Sequence, residues 1–227
     1  MIILHIETST NVCSVALSQN SQCLFSKSNA DGMNHAALLS VFIAEAFEVL
    51  KENEKTLDAV AVSSGPGSYT GLRIGVSTAK GLCYGLDIPL ISVSTLKILT
   101  VQALNEIENK ENALFCPMID ARRMEVYSAF YDATGALKRE ISADIITSDS
   151  YAELLANQTI YFFGNGAEKC KSTLTHPNAR FIDNLIPLAE NMIEFAVKSY
   201  NEKRFVDTAY FEPFYLKEFQ TTTPKIN

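Results

Sequence analysis

Ser63-Ser64-Gly65-Pro66-Gly67-Ser68-Tyr69-Thr70-Gly71-Leu72-Arg73-Ile74-Gly75-Val76-Ser77-Thr78-Ala79-Lys80-Gly81 is the stretch on which the fold turns. It follows the apolar run Asp58 to Val62, which reads as a strand, and it opens a helix running to about Tyr84 and Gly85 that Ser68 or Thr70 can cap. Strand, glycine turn and helix N-terminus together suggest an anion site, because backbone N–H groups and the helix dipole both favour negative charge there. The spacing is not that of a P-loop, which needs a Gly, four intervening residues and then Gly-Lys-Ser/Thr. Here Gly67 is followed by Gly71, Leu72 and Arg73.

Counted at about 100° per residue, Gly71, Leu72, Gly75, Val76, Ala79, Leu82 and Cys83 fill one broad arc of this helix. Ile74, Thr78, Gly81 and Gly85 fill a second, and Arg73, Ser77, Lys80 and Tyr84 leave only a polar sliver. A helix apolar nearly all round must be covered on both sides. Gly71, Gly75 and Ala79 at four-residue spacing would admit a second helix at close range. Two readings stay open: a helix sandwiched inside one domain, or one packed on its own sheet and on a partner subunit.

Upstream, Ile2 to Ile6, Val12 to Leu17 and Cys23 to Ser28 read as a three-strand meander, with Glu7-Thr8-Ser9-Thr10-Asn11 in its first turn. Asn34 caps a helix to Lys51 on which His35, Leu38, Leu39, Phe42, Ile43, Ala46, Phe47, Val49 and Leu50 cover about half the circumference, more than one sheet requires. Downstream come strand Ile88 to Val93 and a helix capped by Ser94 or Thr95 and reaching about Ile107, which gives the order βββαβαβα. The polar gap Asn105 to Asn112 marks the boundary between domains 1–108 and 109–227. The order then begins again. Strands Ala113 to Ile119 and Glu125 to Tyr131 flank Asp120-Ala121-Arg122-Arg123, and a third strand follows Asp132-Ala133-Thr134-Gly135. After these come a helix capped by Ser148, strand Thr159 to Phe163, Gly164-Asn165-Gly166, a helix near Ala167 to Leu174, a short strand at Arg180 to Ile182 and a helix with Pro187 in its first turn. Glu7 echoes Asp120 and Gly65-Pro66-Gly67 echoes Gly164-Asn165-Gly166, a duplication read from element order. The aromatic tail Glu212 to Lys217 can dock back on the N-terminal domain, and Thr221 to Asn227 reads as frayed.

The composition is that of a globular chain: 227 residues, 47% hydrophobic and 20% charged. A net charge of −7 argues against a broad nucleic-acid footprint and leaves room only for a local basic patch. Cys13, Cys23, Cys83, Cys116 and Cys170 form no Cys-x-x-Cys pair, which fits reduced core cysteines of a cytoplasmic protein. Met1-Ile2-Ile3-Leu4-His5 lacks a basic leader region and reads as a first strand, and no apolar run approaches a membrane span.

Two tandem βββαβαβα domains with acid-bearing hairpins resemble the actin, sugar kinase and Hsp70 superfamily, each domain an RNase H-like α/β unit with a five-stranded mixed sheet flanked by helices. Within it, Ile6 to Thr10, Ser64 to Gly75, Asp120 to Tyr127 and Glu212-Pro213-x-Tyr215-Leu216-Lys217 resemble the TsaB family over the whole chain. The resemblance implies a non-catalytic, scaffolding subunit of the bacterial machinery that installs threonylcarbamoyl on the adenosine beside the tRNA anticodon. It also implies pairing with the catalytic subunit TsaD, the ATPase TsaE joining them and tRNA met only through the complex; the surplus apolar surface of the first two helices predicts a symmetric homodimer when the chain is alone. The pairing surface of the family lies on the first two helices, which here bring His35, Leu38, Leu39, Phe42, Gly71, Leu72, Arg73, Gly75, Val76, Ala79 and Lys80 into the expected interface, with Arg73 and Lys80 at its rim.

A rival reading is a stand-alone nucleotide-dependent enzyme or a metallopeptidase-like protein of the same fold. The catalytic paralogue carries two histidines one helical turn apart on its first helix, whereas here His35 is followed four residues on by Leu39. One imidazole does not make that metal site, and His5 and His176 have no partners nearby in sequence. No catalytic residue, metal or resident cofactor is therefore expected. Weak ATP or ADP binding stays open through Glu7, Thr8, Ser9, Arg122 and Arg123, although the superfamily's phosphate hairpins are glycine-rich and these turns are not.

Overall fold

The computed structural model describes residues 1–32, 34–108 and 110–216. Lys217 and the stretch Thr221 to Asn227 lie outside them. Three strands, β1 (Ile2–Glu7), β2 (Cys13–Gln19) and β3 (Gln22–Asn29), form the first meander. Then come α1 (His35–Glu52), β4 (Ala59–Ser63), α2 (Tyr69–Leu86), β5 (Leu90–Val93) and α3 (Thr95–Glu106). The second half repeats the meander as β6 (Ala113–Asp120), β7 (Glu125–Tyr131) and β8 (Leu137–Ile145), followed by α4 (Ala152–Asn157), β9 (Thr159–Phe163), β10 (Ala179–Ile182) and α5 (Ile193–Asn201).

Each half builds one five-stranded mixed sheet, in the orders β3-β2-β1-β4-β5 and β8-β7-β6-β9-β10. The duplication expected from element order is therefore a duplication of topology. In both sheets the first strand of the half pairs antiparallel with its hairpin partner and parallel with the strand after the first helix. β1 is buried along its whole length, as a central strand covered on both faces must be. On one face Leu4, Ile6, Val60 and Val62 pack with Leu39, Phe42, Ala46, Val76 and Ala79 of α1 and α2.

The other faces are covered by exchange. Ile3, Ala59, Ala61 and Ile91 of the first sheet meet Ile98 of α3, but also Met192 and Ala196 from the far end of the chain. Leu96, Leu99 and Ala103 of α3 pack instead with Ala113, Phe115, Ile119 and Ala129 of the second sheet. Each half thus sends a helix to the sheet of the other. Val206 adds an antiparallel bridge to Leu90 at the edge of the first sheet.

Several helix readings change. The cap of α2 is Ser68, whose Oγ accepts from the Gly71 N–H at 3.3 Å, and Thr70 lies inside the helix. Asn34 and Ser94 occupy cap positions without a side-chain cap hydrogen bond. α4 starts after Tyr151 rather than at Ser148, and the helix expected from Ala167 to Leu174 is a 3₁₀ turn, Glu168–Cys170. Pro187 precedes a second 3₁₀ turn, Ala189–Met192, which leads into α5. All five cysteines are free, and all but Cys23 are buried.

Two filled turns and an outward helical face

The turn after β1 lies beneath the N-terminus of α2. Ser68 N–H donates to the Ser9 carbonyl at 2.6 Å, and Thr8 Oγ1 donates to the Gly71 carbonyl at 2.8 Å. A Cβ at Gly67 would run into the Ser9 carbonyl, one at Gly71 into the Thr8 carbonyl and one at Gly75 into Thr8 Oγ1. The four-residue spacing of Gly71 and Gly75 therefore serves the chain's own turn. This corrects the expectation that Gly71, Gly75 and Ala79 slim the helix for a neighbour, and Ala79 is fully buried on the first sheet.

Glu7, Thr8 and Ser9, the candidates for phosphate contact, are each inaccessible to solvent. Glu7 Oε1 accepts from the Ser9 N–H at 2.6 Å. Oε2 has no hydrogen bond of good geometry, although the Ser9 and Ser63 hydroxyls act on the carboxyl. Burial raises its pKa from 4.5 to about 7 against the opposing hydrogen bonds from Ser9, Ser63 and Thr8. A carboxyl sealed in this way cannot reach a phosphate-bound cation.

The second turn is filled differently. Asp120 accepts the Arg122 N–H at 2.9 Å and pairs with the Lys169 ammonium, which also donates to the Glu125 carbonyl at 2.7 Å. Gly164 has φ +94, and a Cβ there would press on the Met118 carbonyl, so the second glycine pair seats its loop on β6, as Gly67 seats the start of α2 on the turn after β1. Arg122 and Arg123 are exposed on the turn with φ of 70° and 50°. Lys169 occupies the acid that a bound cation would need, a role no local motif signalled.

Of the residues expected at the interface, His35, Leu39, Phe42, Gly71, Leu72, Gly75, Val76 and Ala79 are buried within their own chain. His35 Nε2 lies 3.1 Å from the Val12 carbonyl oxygen, and Leu72 is 1% exposed. Leu38 is half-buried and Arg73 exposed, the latter donating to Tyr69 Oη at 3.0 Å. Lys80 faces its own tail, with Nζ donating to the carbonyls of Ala209 at 2.9 Å and Phe211 at 3.1 Å. The same tail continues with Phe214 N–H donating to the Ser64 carbonyl at 2.7 Å and Tyr215 against Tyr69, centroids 5.0 Å apart.

The outward surface of these helices is a different set. Ala37, Val41 and Ala44 share one face of α1, and Arg73, Ser77, Gly81 and Tyr84 share one face of α2, all of them exposed. Val41 is 49% and Tyr84 88% exposed. Small residues around two protruding side chains make a face that another helix can approach closely.

Two sheets of one order, each with its glycine-seated turn, place the chain in the actin-like ATPase fold class. The model of the family described as TsaD, tRNA N6-adenosine threonylcarbamoyltransferase, matches residues 30–173. The tRNA threonylcarbamoyladenosine biosynthesis protein TsaB of Haemophilus influenzae is 29% identical over 226 residues, 96% of this chain and 94% of its own. The protein of that name from Escherichia coli is 29% identical over 223 residues, 96% and 95% of the two chains. The solved structure of YeaZ from Pseudomonas aeruginosa superposes with a TM-score of 0.78 at 25% identity, covering 95% of this chain and 99% of its own. The chain belongs to the TsaB family, within the TsaD-like group of the actin-like fold. Among the described residues no helix is long and apolar enough to cross a membrane.

Proposed function

We propose that this chain is a non-catalytic subunit required for threonylcarbamoyl modification of the adenosine beside the tRNA anticodon. It acts by docking on a TsaD-like catalytic subunit, with a TsaE-like ATPase joining the pair. The observation that carries this reading is the first turn: its acid is sealed, and the space over Thr8 and Ser9 is taken by α2. A chain whose phosphate turn is filled by its own helix contributes surface rather than chemistry. The outward faces of α1 and α2 are that surface, and in isolation they pair with a second copy, because an exposed apolar patch favours self-association.

The test uses Val41→Asp and Tyr84→Asp, both at exposed positions. Each variant should keep the parent's unfolding midpoint, lose the homodimer and bind a TsaD-like subunit at least tenfold more weakly, with reconstituted tRNA modification falling in parallel. Leu72→Asp would not serve, since Leu72 is core and its loss reports on folding. Unchanged dimerisation and unchanged partner affinity in both variants would overturn the docking face. ATP turnover by the purified chain alone, abolished by Glu7→Gln, would overturn the non-catalytic reading.

A further inference from the structure

A hollow of about 260 Å³ opens beside the N-terminus of α3, lined by Ser92, Ser94, Lys97, Phe195, Lys198 and Arg204 among others. Three cations from two distant parts of the chain converge on it, in a protein whose net charge is −7. Lys97 rises from the first turn of α3, with its ammonium 4.4 Å from the centroid of the Phe195 ring. Lys198 and Arg204 come from α5 and the segment after it. Burial lowers the Lys97 pKa, and the charges of Lys198 and Arg204 lower it further, so the three act on one another. Three like charges held this close are self-repulsive, and a bound anion relieves that repulsion.

The polar groups around them suit an anion. Ser94 stands at the cap position of α3 without capping it; its buried hydroxyl acts on Tyr131 and the Thr95 N–H donates to the Gly65 carbonyl at 3.0 Å, so what the helix N-terminus adds is the positive potential of its dipole. Arg204 pairs with Glu202 at 2.6 Å, but both side chains are about half exposed, so the pair is weak and most of the guanidinium's five donors stay available.

We infer that this hollow between α3 and α5 is a binding site for a phosphate group, held by Lys97, Lys198 and Arg204. Ser92 and Ser94 also line a neighbouring hollow of about 640 Å³, whose other walls include Ile141, Phe211, Phe214 and Tyr215. The second hollow falls in the usual size range of small-molecule sites; it adjoins the first across the shared Ser92 and Ser94, and Glu140 and Glu212 on its walls keep the phosphate itself on the cationic side. The phosphate therefore belongs to a ligand with an apolar or aromatic portion next to it, namely a phosphate ester of a nucleoside, free or within an RNA chain. This site is separate from the filled turns and does not depend on the docking face.

The experiment titrates the full chain by calorimetry with inorganic pyrophosphate, with ATP and with an unmodified tRNA. The variants are Lys198→Gln combined with Arg204→Gln, then Lys97→Gln, with Lys203→Gln as a neighbouring control that matches the charge change of Lys97→Gln. The first pair is exposed, so folding should survive, and unfolding midpoints verify it. Saturable binding of at least one probe is expected, weakened tenfold or more by each lining variant and less than twofold by Lys203→Gln. Binding of pyrophosphate and ATP identifies a free nucleotide as the source, and binding of tRNA with a salt slope reduced in the double variant identifies an RNA backbone. No saturable binding of any probe, or binding insensitive to the lining variants, overturns the site. Because the isolated chain is used, this outcome is independent of whether the docking face is correctly assigned.

Discussion

At the scale of single residues, Gly71 and Gly81 show how differently glycines on one helix can act. A Cβ at Gly71 meets the backbone of Thr8, which has no room to move because the turn is buried, whereas a Cβ at Gly81 meets nothing within 4 Å. Gly71→Ala should therefore destabilise the chain by about 1–3 kcal/mol through overpacking. Gly81→Ala should stabilise it by about 0.5–1 kcal/mol, since it removes helix-interior glycine entropy, while weakening docking, because Gly81 lies on the outward stripe. Denaturant midpoints and partner titrations check the two effects separately. Glu7 provides a pH signature. Its carboxyl binds a proton more tightly folded, with a pKa raised to about 7, than at its ordinary 4.5. The folded state therefore holds the extra proton between those values, and stability declines as pH rises from about 4.5 to about 7, then levels off. Glu7→Gln should flatten that decline, recovering a few kcal/mol above neutrality, as unfolding curves at about pH 5 and about pH 8 would show.

At the scale of elements, α2 performs three tasks that its sequence could not separate. Its glycine edge seats the first turn, its Leu72, Val76 and Cys83 edge joins the core, and its outward edge stays exposed. Lys80 adds a fourth contact by holding the carbonyls of Ala209 and Phe211. Lys80→Met should keep the helix intact but release the strap from Asp207 to Tyr215, read as faster amide exchange or earlier proteolysis there with a nearly unchanged global midpoint. The strand boundaries were legible because alternation and turn residues are local signals. Helix ends in the second half were not, because Ser148 and Pro187 look like start signals while packing places the helices after Tyr151 and Met192.

At the scale of the whole molecule, the exchange of helices argues that neither half folds well alone. Without Met192 and Ala196, the Ile3, Ala59, Ala61 and Ile91 face of the first sheet is open to water on a broad apolar area. Fragment 1–108 should therefore be aggregation-prone when expressed alone. Co-expressed with fragment 109–227 it should be recovered in a soluble pair, as size-exclusion chromatography would show. A monomeric, cooperatively folded 1–108 would indicate instead that α3 alone suffices to cover that face. The domains at 1–108 and 109–227 are thus best taken as units of sheet topology that share their covering helices.

Sequence by itself determined the element order of each half, the duplication, the glycine-turned helix and the surplus apolar character of α1 and α2, because period, turn chemistry and element order are written locally along the chain. It could not assign the arcs of α2, since the same glycine spacing suits a neighbouring helix or a backbone turn, and only the position of Thr8, more than sixty residues away, decides between them. Tertiary structure alone moved Leu39, Phe42 and Leu72 from expected interface to core and closed the Glu7 turn. It also drew Lys97, Lys198 and Arg204 to one hollow. Charges a hundred residues apart carry no joint signal until the exchange of α3 and α5 brings them together.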